Sequence, residues 1–155
     1  MTVLDLEDLY TGRILELSAN MPRTGRLASP HATATAHSKL CGSVITVDLC
    51  MEGGIVTDYA QDVHACLLGQ TSAAVMGAEI VGSTADELRE VAAIMRRMLK
   101  QGGPPPVGRW ADLAILELVR DYKARHASTL LVFDAVEDAL RQIEAKTASA
   151  AQAEA

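Results

Sequence analysis

The sequence has very few aromatic side chains: phenylalanine, tyrosine and tryptophan together make up 3% of its 155 residues. Hydrophobic residues nevertheless make up 49% of the chain, so its core has to be built from aliphatic side chains. A chain of this length is long enough to bury such a core as one domain. Surfaces that bind single-stranded nucleic acid by base stacking need exposed aromatic rings, and the shortage argues against that class of protein.

Positive charge is also scarce, with 14 lysine and arginine residues against 20 aspartate and glutamate residues and a formal net charge of −6. A chain with this net charge has no overall positive potential that would attract the phosphate backbone of a nucleic acid. We therefore expect no nucleic-acid partner. The one local basic feature is the cluster Arg120, Lys123 and Arg125.

Long apolar runs are absent, since no stretch approaches the ~20 residues of a membrane span. The first eight residues are acidic and lack the basic and apolar regions of a signal peptide. Three cysteines, an odd number in a chain without an export signal, are typical of reduced thiols rather than of a disulfide framework. The sequence therefore predicts a cytoplasmic protein with no membrane partner.

Alternating residues predict a small antiparallel sheet. Residues 44–51 and 55–64 alternate as strands on either side of Gly53-Gly54, a turn typical of a hairpin. Residues 32–36 alternate small and β-branched side chains, which is a weak signal for an edge strand. The sequence predicts an α+β fold, with a small three-stranded antiparallel sheet packed on one side by helices.

Helical periodicity accounts for most of the remaining chain. It predicts helices over residues 3–19, 66–82, 84–100 and 128–145, with a capping box from Thr84 to Glu87. A Gly- and Pro-rich segment at 102–106 breaks the chain, residues 109–119 are at most a short helix, and 120–127 form a polar connection. We predict a single domain over residues 1–146 and a disordered tail over 147–155.

Two cysteines are expected at the end of the hairpin away from its turn. Cys66 stands where a strand gives way to a helix, so its thiolate would face free amides and the positive helix end. Cys41 precedes Gly42, which allows a ligand or the backbone to come close. The alternative for Cys66 is a small buried hydrophobic side chain, and Cys50, near the turn, is interpreted as packing.

A tetrahedral metal site needs four ligands, and no CxxC spacing supplies them locally. His126, just ahead of the last helix, is the best third ligand, although a solvated loop histidine is the alternative. His31, His37 and His64 are weaker candidates. The remaining polar candidates have simpler interpretations: Ser128 as a helix N-cap, and Asp48 and Asp62 as solvated strand residues.

Four segments resemble the U-type iron–sulfur cluster scaffold family, which includes IscU, SufU and the NifU N-terminal domain. Residues 21–25 are similar to the family's Asn-Pro-Arg-Asn-x-Gly entry loop, 40–43 to its Cys-Gly-Asp motif, and 65–66 to its second cysteine motif. Tyr122, Arg125 and the following residues through Ala135 are similar to the segment around its third cysteine. The resemblance covers residues 20–140, and the insert at 82–104 favours the SufU-like branch.

The resemblance implies a SufE/NifU-like fold and a site of three cysteines and an aspartate that holds a transient iron–sulfur cluster or zinc. Cys41 and Cys66 match the first two cysteines, whereas Ser43 stands at the aspartate position and Ser128 at the third cysteine. Serine is a poor ligand for iron or zinc because its hydroxyl stays protonated near neutral pH. The Pro-Val-Lys signal that a chaperone recognises in some members is replaced by residues 123–125.

Three hypotheses follow. The leading one is an iron–sulfur assembly protein of scaffold or sulfur-acceptor type, in which Cys41 and Cys66 bind metal or persulfide. His126 would be a third ligand, Arg125 would steer an anionic cluster or partner, and a cysteine desulfurase or other assembly proteins would be the partners. The second is an interaction protein that kept the fold and binds no cofactor. The third is a thiol enzyme with Cys66 as nucleophile and His64 or His126 as base.

Overall fold

Three antiparallel strands form the centre of the computed structural model, which describes residues 12–39 and 42–154, with side chains through residue 149. The strands are β1 (Ala32–Ser38), β2 (Ser43–Glu52) and β3 (Ile55–His64), and β2 lies in the middle of the sheet. Helices pack against the sheet, so the predicted α+β fold is confirmed. Cys41 and the first part of the helix predicted over 3–19 lie outside the described residues.

The β2–β3 hairpin has the predicted antiparallel pairing, with Val44 opposite His64 and Glu52 opposite Ile55. Gly53 and Gly54 both have positive φ, 60° and 78°, as a tight hairpin turn of the primed type requires. A bulge between Cys50 and Met51 interrupts the ladder beside this turn. The inward face of β2 is fully buried at Ile45, Val47 and Leu49.

Four α-helices and two 3-10 helices complete the described chain. They are α1 (Gly12–Ala19), α2 (Leu67–Glu79), α3 (Ala85–Gln101), the 3-10 helices η1 (Gly108–Asp121) and η2 (Lys123–Arg125), and α4 (His126–Glu154). Helix α2 ends before the predicted Gly82, since Ile80 is its C-cap. Helix α4 starts at His126 rather than at Ser128, because η2 runs directly into it.

The capping box at the start of α3 is half formed. The Thr84 hydroxyl accepts the Glu87 amide proton at 3.1 Å, as predicted. The Glu87 carboxylate does not reach back to the cap; it accepts hydrogen bonds from Arg109 at 2.7 Å and Trp110 at 3.2 Å. The tertiary partners on η1 therefore replace the second half of the box.

The segment predicted to be at most a short helix is the 3-10 helix η1. Its buried residues recur at every third position: Trp110, Leu113, Leu116 and Val119. This spacing suits three residues per turn, in which side chains three apart lie on one face.

Helix α4 continues beyond the predicted end near residue 145 to Glu154. Its described side chains at residues 144–149 are exposed, and alanine, the best helix former, is frequent there. Because these side chains add little to the core, the division into a domain over 1–146 and a tail over 147–155 stays a prediction. Within the described residues no helix has both the length and the apolar character needed to cross a membrane.

Candidate functional site

Cys66 lies where three elements meet: the start of β2, the junction of β3 with α2, and the first turn of α4. It is the N-cap residue of α2 with extended backbone (φ −64°, ψ 168°), and its side chain makes no capping hydrogen bond. Its carbonyl oxygen accepts the Gln70 amide proton at 2.9 Å. The thiol is half-buried and free of disulfide bonding, so it remains available for chemistry.

Ser128 contacts the sulfur of Cys66. The Cys66 thiol donates to Ser128 Oγ at 3.3 Å, and Ser128 Oγ donates to the Arg125 carbonyl oxygen at 3.1 Å. Ser128 is 1% exposed, so its hydroxyl is held in place. The N-cap role predicted for Ser128 is wrong, because α4 has already begun at His126.

Ser43 contacts the backbone of Cys66. Its Oγ accepts the Cys66 amide proton at 3.3 Å, and the residue is 3% exposed. The hydroxyl therefore holds the end of β3 against the start of β2. The family resemblance implies an aspartate at position 43 and a cysteine at position 128. Both positions carry serine here, and both serines contact Cys66.

A glycine in the first turn of α2 permits this arrangement. A Cβ atom at Gly69 would lie 2.9 Å from the Ala65 Cβ atom and 3.0 Å from the Ser128 carbonyl oxygen. Real Cβ atoms are rarely or never this close to a neighbour, so the close approach of α2 and α4 needs a glycine. The signal for this contact was present in the sequence as a glycine inside a helical pattern.

His126 is used within the fold. Its Nε2 atom lies 3.1 Å from the Val119 carbonyl oxygen and 3.0 Å from that of Arg120, and the residue is 7% exposed. The predicted alternative of a solvated loop histidine is wrong, because the ring is buried at the end of η1. A ring nitrogen that donates to carbonyl oxygens is not a free metal ligand, which leaves only Nδ1 for that role.

Two of the other histidines have side-chain partners other than Cys66. Exposed His64 pairs with Asp62 at 3.0 Å, and His31 Nδ1 accepts the Met51 amide proton at 3.0 Å. Over residues 12–39 and 42–154, no three His, Cys, Asp or Glu side chains are grouped so that they could hold a metal ion. Participation of Cys41, which lies outside these residues, stays a prediction.

Arg125, predicted to steer a cluster or partner, lies beside Ser128, whereas Cys50, interpreted as packing, lies beside the hairpin turn. Arg125 is half-buried, and its carbonyl oxygen accepts from the Ser128 and Thr129 hydroxyls. Its guanidinium has no acidic partner in the described part of the chain. Cys50 lies beside the hairpin turn, where its thiol donates to the Ser29 carbonyl oxygen at 3.5 Å.

Asp48 is a buried residue that the sequence pattern placed in solvent. It is 0% exposed and accepts from Arg26 Nε at 2.6 Å, Thr33 Oγ1 at 2.6 Å and the Leu27 amide at 3.0 Å. Burial raises the pKa of Asp48, but these hydrogen bonds outweigh burial and leave the pKa below its ordinary value. The carboxylate therefore ties the loop at residues 21–30, the entry loop, onto the outer face of the sheet.

Gln61 anchors the other side of the entry loop and was missed by the sequence analysis. Its Nε2 atom donates to the Pro22 carbonyl oxygen at 3.2 Å and to that of Ala73 at 2.9 Å. The Tyr59 hydroxyl donates to Gln61 Oε1 at 2.8 Å, and burial raises the pKa of Tyr59. The entry loop is thereby joined to β3 and α2, the two elements that flank Cys66.

No family model matches the chain. A nitrogen-fixing NifU-like protein (N-terminal part) from Brucella abortus is 60% identical, with a TM-score of 0.89 over 91% of this chain and 98% of that one. A scaffold protein for the SUF system from Fervidobacterium islandicum AW-1 is 23% identical, with a TM-score of 0.78 over 88% and 99%. The iron–sulfur cluster assembly scaffold protein IscU of Thermotoga maritima is 24% identical over 87% of this chain and 94% of its own length.

The arrangement around Cys66 offers one thiol at the start of a helix, one buried hydroxyl that contacts its sulfur and a second that contacts its backbone amide. The Cys66 side chain makes no capping hydrogen bond to α2, so the predicted contact of the thiol with the free amides of this helix is not formed. A neighbouring hydroxyl can accept from the thiol or donate to the thiolate. The site is therefore suited to chemistry at the Cys66 sulfur.

Proposed function

The chain belongs to the IscU/NifU-like family of iron–sulfur cluster assembly scaffold proteins, and we propose that it carries sulfur or iron for cluster assembly on Cys66, with Cys41 as second thiol. The observation that carries this proposal is the Cys66 thiol held against the Ser128 hydroxyl at 3.3 Å. The relationship at 60% identity supports the same fold.

The donor set favours sulfur as the cargo over a stably bound metal. Zinc and iron–sulfur clusters are held mainly by thiolates, with histidine or carboxylate as further ligands. Cys66 and Cys41 supply two thiols, and the other two family positions carry the hydroxyls of Ser43 and Ser128. A persulfide needs only one thiol, so Cys66 alone is sufficient to accept it.

Sulfur acceptance at Cys66 is a thiol–persulfide exchange. The Cys66 thiolate attacks the outer sulfur of a persulfide on a cysteine desulfurase; a new S–S bond forms at Cys66, and the desulfurase cysteine leaves as a thiolate. Ser128 accepts from the Cys66 thiol before the reaction. When the proton has left, its hydroxyl can turn from the Arg125 carbonyl oxygen and donate to the sulfur anion.

The test is an anaerobic incubation with a cysteine desulfurase and cysteine, followed by mass spectrometry of the intact chain and its peptides. We expect one added sulfur atom on Cys66, no transfer in Cys66→Ser, and unchanged transfer in Cys50→Ser. A parallel reconstitution with iron and sulfide measures bound metal and the visible absorption of a cluster. If Cys66 gains no persulfide and the chain binds no stoichiometric metal, the proposal is wrong.

A second candidate function is favoured by Ser43 and Ser128: an interaction protein of the assembly machinery that binds no metal or sulfur. It predicts that the double substitution Cys41→Ser with Cys66→Ser leaves the affinity for an assembly partner unchanged. Loss of that affinity would reject this candidate. Both functions suit a cytoplasmic compartment, where thiols stay reduced.

A further inference from the structure

A basic pocket of about 420 Å³ lies beside the first turn of α4. The end of α3, the end of η1, η2 and the start of α4 each contribute to it. Its lining residues are Leu99, Lys100, Arg120, Lys123, His126 and Ala127. Three of these six side chains are cationic and none is acidic, although the whole chain carries a net charge of −6.

The cations of the basic pocket take no part in the ion pairs that the described residues form. In the described part of the chain, no acidic side chain lies within 4.0 Å of Lys100, Arg120 or Lys123. Elsewhere arginines do pair with acids: Arg13 with Glu16 and Arg89 with Glu144. The pocket therefore presents positive charge that the described residues do not neutralise.

The positive charge comes from side chains rather than from free backbone amides. Helix α4 follows η2 without a break, and the His126 amide already donates to the Lys123 carbonyl oxygen. Phosphate sites commonly use a nest of free amides at a helix start, which this junction does not offer. Separate cations on several elements suit several carboxylates spaced along a peptide.

We propose that the basic pocket binds an acidic segment of a protein partner, with aspartate or glutamate carboxylates on Lys100, Arg120 and Lys123. The rest of this acidic chain repels such a segment, so attraction is concentrated at the pocket. His126 lines the pocket and stands two residues before Ser128, which contacts the Cys66 sulfur. A partner docked here lies at the same end of α4 as Ser128, and the binding needs no chemistry at the Cys66 thiol.

Fluorescence anisotropy with a labelled, end-capped hexaglutamate peptide and the full chain tests the proposal. We expect saturable binding at about 10 mM salt that weakens strongly by about 150 mM, where the Debye length has fallen from about 30 to about 8 Å. The triple substitution Lys100→Gln, Arg120→Gln and Lys123→Gln is expected to weaken binding about tenfold or more. No binding by the unmodified chain would overturn the proposal.

A matched control removes three cations elsewhere: Arg13→Gln, Arg89→Gln and Arg141→Gln. Its affinity for the peptide is expected to stay within about twofold of that of the unmodified chain, because the three removed charges do not line the pocket and act on the peptide only at long range. Equal losses in the two triple variants would overturn the proposal. The single substitution Lys123→Glu, at an exposed position, gives the same comparison without risk to folding and is expected to weaken binding.

Two further measurements identify the ligand class and separate this proposal from sulfur transfer. Displacement of the peptide by inorganic phosphate, beyond that by sodium chloride at equal ionic strength, would assign the pocket to phosphate and overturn the proposal. Cys66→Ser is expected to bind hexaglutamate like the unmodified chain while accepting no sulfur. Loss of peptide binding in Cys66→Ser would contradict an independent docking site.

Discussion

Ser128 and Ser43 both contact Cys66, the first through its sulfur and the second through its backbone amide. Each serine is almost fully buried, so its hydroxyl is fixed relative to the thiol. A thiolate at Ser128 and a carboxylate at Ser43 would be real metal ligands at the same two positions. We therefore predict that the identity of these two side chains determines how firmly the site holds a metal ion.

We predict that Ser128→Cys combined with Ser43→Asp raises the affinity for zinc by more than about 100-fold, because two protonated hydroxyls are exchanged for anionic ligands. Competition with a chromophoric chelator under reducing conditions measures the affinity. Adding Cys66→Ser to this variant is expected to abolish the gain. Retention of the gain without Cys66 would mean that zinc binds elsewhere.

A second prediction concerns the contact between α2 and α4. Gly69→Ala places a methyl group against the Ser128 carbonyl oxygen, and overpacking of this kind costs about 1–3 kcal/mol of unfolding free energy. The matched control is Gly12→Ala in α1, where a Cβ atom meets nothing within 4 Å. Urea unfolding measures both; equal stability of the two variants would contradict the close approach at Gly69.

At the scale of elements, the entry loop is held by a buried carboxylate on β2 and a buried amide on β3. Asp48 on β2 accepts from Arg26, Leu27 and Thr33, while Gln61 on β3 donates to the Pro22 carbonyl oxygen. The loop passes the edge of β3, where Thr24 pairs with Gln61, and then reaches Asp48 on the outer face of the sheet. The sheet thereby supports the loop beside α2.

The pH dependence of stability follows from Asp48. Its pKa is lowered in the folded chain, so the unfolded chain binds the proton more readily. The stabilisation is present above the unfolded value of about 3.9 and is lost as pH falls through the lower folded value. We predict that Asp48→Asn costs about 1–3 kcal/mol at pH 7 and flattens the fall in stability below pH about 4.

The control for this prediction is Asp62→Asn, an exposed position on β3, which is expected to change stability by less than about 0.5 kcal/mol. Thermal unfolding from pH 7 to pH 3 measures all three chains. A pH profile of Asp48→Asn that matches the unmodified chain would contradict the role assigned to this carboxylate.

At the scale of the whole molecule, local periodicity was enough to predict the fold class. The alternation around Gly53-Gly54 predicted the hairpin, and the change of period at Cys66 predicted the strand–helix junction. The contact between Cys66 and Ser128 joins residues 62 positions apart. A local sequence pattern does not extend over such a separation, so it could not predict this contact. Asp48 was misplaced for a related reason: alternation assigns a residue to a face of the sheet, but not the loop that covers that face.

The last prediction tests where the domain ends. A chain ending at Lys146 keeps the Gln142 contact with the Thr33 carbonyl oxygen at 2.9 Å and the Lys146 contact with that of His31 at 2.5 Å. Because the described side chains from Thr147 to Ser149 are exposed, we expect this truncation to cost less than about 0.5 kcal/mol.

A chain ending at Arg141 removes both contacts and the partly buried Ile143. Burial of an aliphatic side chain and a hydrogen bond to the sheet together contribute about 2–4 kcal/mol to the free energy of unfolding. We expect this truncation to lower the free energy of unfolding by that amount. Thermal and urea unfolding of the two truncated chains and the full chain measure the difference. A loss above about 1 kcal/mol on removing residues 147–155 would place the end of α4 within the domain, because exposed helix alone contributes little to stability.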